Sequence, residues 1–276
     1  MRVSCLYLAA TSSQAIQKAH QLNIFPIKTA LVTGGSTRIG AAIVKDLAEH
    51  GFAVTIHANG SVAQAQELSS AIRAQGGRAA VVQADLCDAS ARAGIVKAAV
   101  EALGPLGLVV NNASIFEDDS IESFDEDVFD QHFAVHVRAP ATLIRDFAAQ
   151  LPGDAQGLVV NMVDQRVWAL NPRFFTYTLS KAALWTATQT LAQALAPKIR
   201  VNAIGPGPTL KNERQSDADF AAQVEGLILK AGPALPEFGR TIRFLFDTPS
   251  ITGQMIALDG GQHLAWQTPD VAEIKE

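Results

Sequence analysis

The sequence predicts a single doubly wound α/β domain on a seven-stranded parallel sheet, and three observations carry that prediction. From Ile27 onward, short runs of Val, Ile, Leu and Ala alternate with longer Ala-rich amphipathic segments, as repeated β-α-β units require. The strand candidates are almost continuously apolar, which suits strands covered by helices on both faces. No linker divides the chain, and its 276 residues are enough for one large core.

The elements follow in order. Residues 27–35 (IKTALVTGG) read as a strand ending in a glycine turn. Residues 37–51 (TRIGAAIVKDLAEHG) read as a helix, with Ile39, Ile43, Val44 and Leu47 on one face and Gly51 as its stop. A second strand spans 52–58 (FAVTIHA), a second helix 62–77, and a third strand 78–86 (RAAVVQADL). A helix over 88–103 leads to a fourth strand, 106–114 (LGLVVNNAS). A long helix near 125–150, a strand over 157–163, a helix over 175–196 and a strand over 199–207 come next. The last strand is 253–261 (GQMIALDGG). Residues 207–237 are irregular and rich in Pro, Gly and charge, which suits a lid beside a pocket. The expected domain covers 27–264, with an extension before it, residues 1–26, that is mobile or misassigned, and a tail over 265–276.

Composition narrows the function. Hydrophobic residues make up 48% and charged residues 18%, an ordinary globular balance. A net charge of −5 gives no general attraction to nucleic acid or anionic membranes. No apolar run reaches bilayer length. Cys5 and Cys87 show neither metal-ligand spacing nor a disulfide framework, so a cytoplasmic setting is the simplest expectation. No His, Cys and carboxylate cluster has metal spacing, and no metal is expected.

Four short segments carry chemistry. In TGGSTRIG (33–40), Gly34 and Gly40 let the backbone turn tightly and approach a phosphate at a helix N-terminus. Arg38 stands there at a glycine-like position, with Ile39 beside it. Taken alone, the segment is also compatible with a plain strand-to-helix turn. The second strand ends TIHANGS, with His57, Asn59 and Ser61 but no carboxylate to repel a 2′-phosphate, which favours NADP(H) over NAD. His57 is either part of that site or an ordinary surface histidine. Asp85 and Leu86 end the third strand, near where an adenine would lie, and Asn112, Ala113 and Ser114 end the fourth.

The fourth segment, NMVDQRVWALNPRFFTYTLSK (161–181), places Asp164 thirteen residues before Tyr177, with Lys181 four positions further. Residues four apart share a helix face, so the phenol and the ammonium can approach one ligand. A neighbouring ammonium and a cationic oxidised nicotinamide both favour phenolate, which predicts a lowered Tyr177 pKa and a usable proton donor and acceptor.

These segments resemble the short-chain dehydrogenase/reductase family, whose order of motifs they follow over about residues 27–264. TGGSTRIG, NNAS, YTLSK and VNAIGPGP carry the resemblance, which implies a Rossmann-type catalytic domain. Most members have serine where this chain has Asp164. That aspartate, with Arg38, HANGS and NNASIF, resembles the pteridine reductase branch, which reduces dihydropterins or dihydrofolate with NADPH. The resemblance implies that Arg38 and Ser61 hold the NADP phosphates and that Asn112, Ala113 and Ser114 line the cofactor. It implies that Phe116 stacks on the pterin, that Tyr177 and Asp164 supply the proton, and that Lys181 binds the nicotinamide ribose. Pro206, Gly207 and Thr209 would close over the nicotinamide and pyrophosphate.

Two positions depart from the pattern. Gly60 replaces an arginine, which weakens the expected NADPH preference. His136 replaces an asparagine and is read as a proton relay or as a packed helix residue. The acidic stretch 116–130 is expected to form a solvated face at a helix N-terminus. Trp168, Phe174 and Phe175 would wall a substrate pocket, or pack in the core or at a subunit interface. Trp185 is expected at an interface of a homotetramer, the common assembly of the family. A reductase of 3-oxoacyl or sugar carbonyls and an inactive NADP-binding sensor are the alternative functions.

Overall fold

The computed structural model describes residues 26–268 except 213, so the expected N-terminal extension lies almost wholly outside the described residues, as do residues 269–276 of the tail. Seven parallel strands form one sheet: β1 (Thr29–Val32), β2 (Ala53–Ala58), β3 (Ala79–Gln83), β4 (Leu108–Asn111), β5 (Gly157–Met162), β6 (Ile199–Pro206) and β7 (Met255–Leu258). Their spatial order is β3-β2-β1-β4-β5-β6-β7. The chain therefore reverses its winding direction between β1 and β4, and the two halves of the sheet leave a crevice at the strands' carboxyl ends. The domain is of Rossmann type.

Side-chain alternation along each strand builds the two core layers. Ala30, Val32, Val54, Ile56, Leu108 and Val110 face one side of the sheet. There they meet Ile43, Val44 and Leu47 of α1 (Arg38–Glu49), Leu68 and Ile72 of α2 (Val62–Ala74), and Phe238, Ile242 and Leu245 of α9 (Leu235–Asp247). Leu31, Val109, Val159 and Val201 face the other side. They pack on α4 (Ile95–Leu103) and α6 (Ala139–Gln150) through Ile95, Val96, Leu143, Ile144 and Phe147. Each Val, Leu, Ile or Phe among them taken from water contributes about 1.5–3 kcal/mol, so both layers are needed against the chain's conformational entropy.

Three elements differ from the sequence expectation. The helix expected over 88–103 is two, α3 (Ala89–Ala93) and α4, separated by Gly94. The long helix near 125–150 is α5 (Glu126–Phe133), a five-residue π segment (Ala134–Arg138), and α6. Residues 207–237 hold a short helix, α8 (Asp217–Glu225), and the start of α9, which no expectation covered. The signal for α9 was present: Phe238, Ile242 and Leu245 at helical spacing, Pro236 in the first turn, and Glu237 accepting from Ala234 N at 2.8 Å. No helix among the described residues is long and apolar enough to cross a membrane.

The first turn shows why the motif needs glycine. Gly34 has φ +59°, and a Cβ on Gly40 would lie 2.0 Å from Gly34 O and 2.7 Å from Asn112 Nδ2. Gly60 has nothing within 4 Å of such an atom. Gly40→Ala should therefore lower stability by about 2 kcal/mol or more, while Gly60→Ala stays within about 0.5 kcal/mol of wild type. Denaturant melts of the two variants check this, and equal midpoints would contradict it.

Candidate active site

The carboxyl ends of β1, β4, β5 and β6 converge on one groove with two lobes. The first lobe, about 790 Å³, is lined by Gly34, Arg38, Ile39, Gly40, His57, Ser61, Asp85, Leu86, Asn112, Ala113 and Ser114. The second, about 730 Å³, is lined by Asp164, Tyr177, Lys181, Pro206, Gly207 and Thr209. Arg38, Ile39, Asn112, Ser114 and Phe116 line both lobes. The candidate catalytic and cofactor-binding residues named from the sequence, with Phe116, thus lie along a single groove.

The first lobe is held by side chains that tie strand ends together. Thr33 Oγ1 accepts from Asn112 N at 2.9 Å and Ala113 N at 3.0 Å. Asn112 Nδ2 donates to Thr33 O at 2.9 Å and Gly34 O at 3.0 Å. His57 is neither a surface residue nor free to bind a phosphate. Its ring is buried, Nδ1 accepts from Gly34 N at 3.2 Å, and Nε2 lies 3.1 Å from Ala84 O. Burial lowers its pKa, so a neutral imidazole supports the glycine turn from beneath. Asp85 accepts from Cys87 N at 2.8 Å, an Asx turn at the lobe's rim. Arg38 takes φ +51°, the left-handed conformation its glycine-like position implied. Its guanidinium reaches across the groove to Leu210 O and Lys211 O, both at 3.2 Å.

The second lobe contains the three candidate catalytic residues Asp164, Tyr177 and Lys181. Tyr177 and Lys181 sit one turn apart on α7 (Phe175–Leu195), both buried. Tyr177 Oη donates to Asp164 Oδ2 at 2.9 Å, while Asp164 Oδ1 accepts from Arg166 N at 2.8 Å. The backbone bond fixes the carboxylate so that its other oxygen faces the phenol. Lys181 Nζ donates to Met162 O at 2.8 Å and lies 5.5 Å from the centre of the Tyr177 ring. An aromatic wall stands beside them: Phe116 stacks on Phe174 at 4.3 Å and 14°, and meets Tyr177 edge-on at 4.7 Å. Arg166 lies 4.8 Å from the Phe174 ring centre and Arg214 lies 5.5 Å from that of Phe116.

The electrostatics correct one expectation. Tyr177 was expected to have a lowered pKa, but burial first and the Asp164 charge second push it well above its ordinary value. Arg166 and the Ser114 hydroxyl act in the opposite direction without prevailing. Burial also raises Asp164, and it lowers the Lys181 ammonium to about 8 against the pull of Asp164. A neutral phenol donating into a carboxylate with a raised pKa is the resulting state.

The acidic stretch is exposed with one exception. Asp119 is buried, and both carboxylate oxygens accept from Thr176 N, at 3.2 and 3.1 Å. It thereby caps α7, whose own N-cap residue Phe174 is left-handed and offers no side-chain acceptor. Of the three aromatic candidates, Phe174 lines the groove, whereas Trp168 packs edge-on against Trp185 at 6.1 Å, outside it. His136 is buried and packed, with Nδ1 2.8 Å from Ser180 Oγ and Nε2 2.9 Å from Ser114 Oγ. Sequence reasoning missed Arg166, Arg173 and Arg214, which line the second lobe, and Asp119. A cap 57 residues from the amide it accepts leaves no local spacing signal; the arginines had none beyond their proximity to Asp164 and the lid.

Residues 28–220 match the short chain dehydrogenase family. Among solved structures, FolM alternative dihydrofolate reductase 1 from Brucella suis, in complex with NADP, is 58% identical and superposes with a TM-score of 0.87. That likeness covers 88% of this chain and 98% of the other. An uncharacterized oxidoreductase of Methylorubrum extorquens is 35% identical over 247 residues, 85% of this chain and 97% of the relative. The 3-oxoacyl-[acyl-carrier-protein] reductase FabG of Staphylococcus aureus is 29% identical over 246 residues, 86% of this chain and 98% of that protein. With strand order, glycine turn and the Tyr177–Lys181 pair in agreement, the chain belongs to the short-chain dehydrogenase family of oxidoreductases.

Proposed function

We propose that this protein is an NADPH-dependent reductase of a pterin-like substrate, a dihydropterin or dihydrofolate. The observation that carries the reading is the 2.9 Å bond from the buried Tyr177 to the half-buried Asp164. A carbonyl reductase needs a neutral donor facing its substrate oxygen, and an ionised carboxylate there would repel the developing oxyanion. A pterin instead presents amino and N–H donors, which a carboxylate can accept. The likeness to the Brucella suis enzyme supports the same reading.

The first lobe fits a dinucleotide. Its glycine turn leaves no room for side chains at Gly34 and Gly40, and exposes backbone N–H groups at the start of α1. Gly34, Arg38, Ile39, Gly40 and Ser61 would hold the phosphates, and Asp85 and Leu86 the adenine. Asn112, Ala113, Ser114, Lys181, Pro206, Gly207 and Thr209 would line the nicotinamide end. NADPH, when bound, supplies the hydride. The protein's own residues do the rest. Phe116 and Phe174 present an aromatic wall to a flat ring, and Tyr177 gives up its proton at Oη. Asp164, whose pKa is raised by burial, takes a proton from solvent and passes it to the phenolate along the 2.9 Å bond. Residues 207–237 act as a lid in this reading, held by Arg38 and by Arg214, whose Nη1 lies 3.3 Å from Glu117 Oε2.

Tyr177→Phe should lower kcat for dihydropterin reduction by about 10²–10⁴ while NADPH binding is retained. Measurement of NADPH oxidation with a pterin panel tests this, and turnover of ketones without dihydropterins would favour the carbonyl reductase. NADPH binding without any turnover, unaffected by Tyr177→Phe, would favour the sensor. Asp164→Ser should abolish pterin reduction and raise carbonyl reduction.

The pH dependence has a defined sign. Proton return needs protonated Asp164, so kcat should rise as pH falls toward the raised pKa of that carboxyl group, and Asp164→Asn should remove this limb. A limb unchanged in Asp164→Asn would contradict the assignment.

A further inference from the structure

We propose that His132 and His136 are positioning residues that fasten the substrate-facing loop 114–117 to the helix bearing Tyr177 and Lys181. The two rings lie four residues apart, stacked with centroids 5.6 Å apart, and each makes the same pair of bonds. His136 Nε2 accepts from Ile115 N at 3.2 Å, and its Nδ1 lies 2.8 Å from Ser180 Oγ. His132 Nε2 accepts from Glu117 N at 3.4 Å, and its Nδ1 lies 2.7 Å from Thr176 Oγ1. Alternate loop amides thus connect, through two imidazoles, to hydroxyls one turn apart on α7. Tyr177 lies between those hydroxyls in sequence, and its ring meets both imidazoles edge-on, at 5.4 and 5.9 Å.

The hydrogen bonds dictate the tautomers. Ser180 Oγ donates to Tyr177 O at 2.7 Å, so it receives its bond from His136 Nδ1–H, and Nε2 is left as the acceptor. His132 follows the same logic, because its Nε2 accepts from an amide. A second proton on either ring would set an N–H against a backbone N–H, and that rung would be lost. Lys181 and Tyr177 face the rings from α7, Glu117 and Asp119 face His132 from the loop, and each histidine faces the other. Burial dominates at both rings and lowers their pKa values, His136 strongly, so both rungs are neutral at neutral pH. The unfolded chain takes up protons at these sites first. The fastening therefore weakens as pH falls below the ordinary histidine value of 6.5.

The consequence reaches the second lobe through the loop's own side chains. Ser114 and Phe116 alternate with the fastened residues Ile115 and Glu117, and both line the groove. Their position relative to Tyr177 is set by the two imidazoles and by Asp119, which caps the same helix from the same loop. The histidines touch no bound group themselves; they act through Ser114 and Phe116.

The test combines amide hydrogen exchange by NMR with steady-state kinetics on the full chain. Exchange at Ile115 in His136→Ala, and at Glu117 in His132→Ala, should quicken by about ten-fold relative to the sheet amides, a factor typical of one lost hydrogen bond. KM for dihydropterin should rise by a similar factor while NADPH affinity changes less than about two-fold. His132→Gln and His136→Gln, which keep an acceptor and a donor, should recover part of both effects. Unchanged local exchange and KM in both alanine variants would overturn the proposal, as would uniform loss of protection across the fold without rescue by glutamine. The inference rests on the pterin reading only for its kinetic arm. Local exchange changes in a protein that reduces no dihydropterin would refute that reading and leave the fastening in place. Dihydropterin turnover with unaltered exchange and KM would do the reverse.

Discussion

A buried phenol and a half-buried carboxylate share a hydrogen bond, 2.9 Å long, at the wall of the groove, and the surrounding structure is arranged around that constraint. Each group alone would be costly to bury: a carboxylate without partners loses its hydration, and a hydroxyl without an acceptor wastes a donor. Paired, they fix one another's protonation state. Burial first and the charge on Asp164 second keep the proton on Tyr177, and burial keeps Asp164 ready to take a proton. Lys181, one turn away, is drawn down to about 8 by the same burial and is anchored on Met162 O. It does not make the phenol acidic in this structure.

That constraint explains why so many elements end at one place. Asp164 follows β5, Tyr177 and Lys181 start α7, and Ser114 and Phe116 follow β4. The parallel sheet brings these strand ends to one edge, and the reversal of its winding between β1 and β4 opens the crevice there. The connections between them are polar: Asp119 and two histidines tie the loop after β4 to α7, and Asn112 with Thr33 ties it to the glycine turn. Polar ties suit this task because their directions fix distances that apolar packing leaves looser.

Much of this was legible in the sequence, for identifiable reasons. The strands read clearly because burial on both faces leaves them nearly all apolar, and Gly34 and Gly40 because the turn admits no side chain. The one-turn spacing of Tyr177 and Lys181 is local, and a local pattern survives in sequence. What failed depends on through-space surroundings. The direction of the Tyr177 pKa shift follows from burial and from a carboxylate thirteen residues away, against which the neighbouring lysine was over-weighted. His57 read as a surface or cofactor residue because nothing local shows that its two nitrogens are engaged by Gly34 and Ala84. Asp119 belonged to a run of acids whose other members are largely exposed, and only the fold singles it out. The helix α9 carries a regular apolar face, but its start lies in an irregular Pro- and Gly-rich stretch that hides it in the sequence.

The central claim is that Tyr177 is a neutral phenol paired with Asp164, and its ionisation can be read directly. The chain has two tyrosines, Tyr7 and Tyr177, so Tyr7→Phe leaves a single phenol whose absorbance change reports its titration. In the cofactor-free protein, the account predicts that phenolate appears only above about pH 10, the ordinary range of tyrosine, and at lower pH once Asp164→Asn removes the charge. Phenolate already present near neutral pH in the protein with Asp164 intact would contradict it.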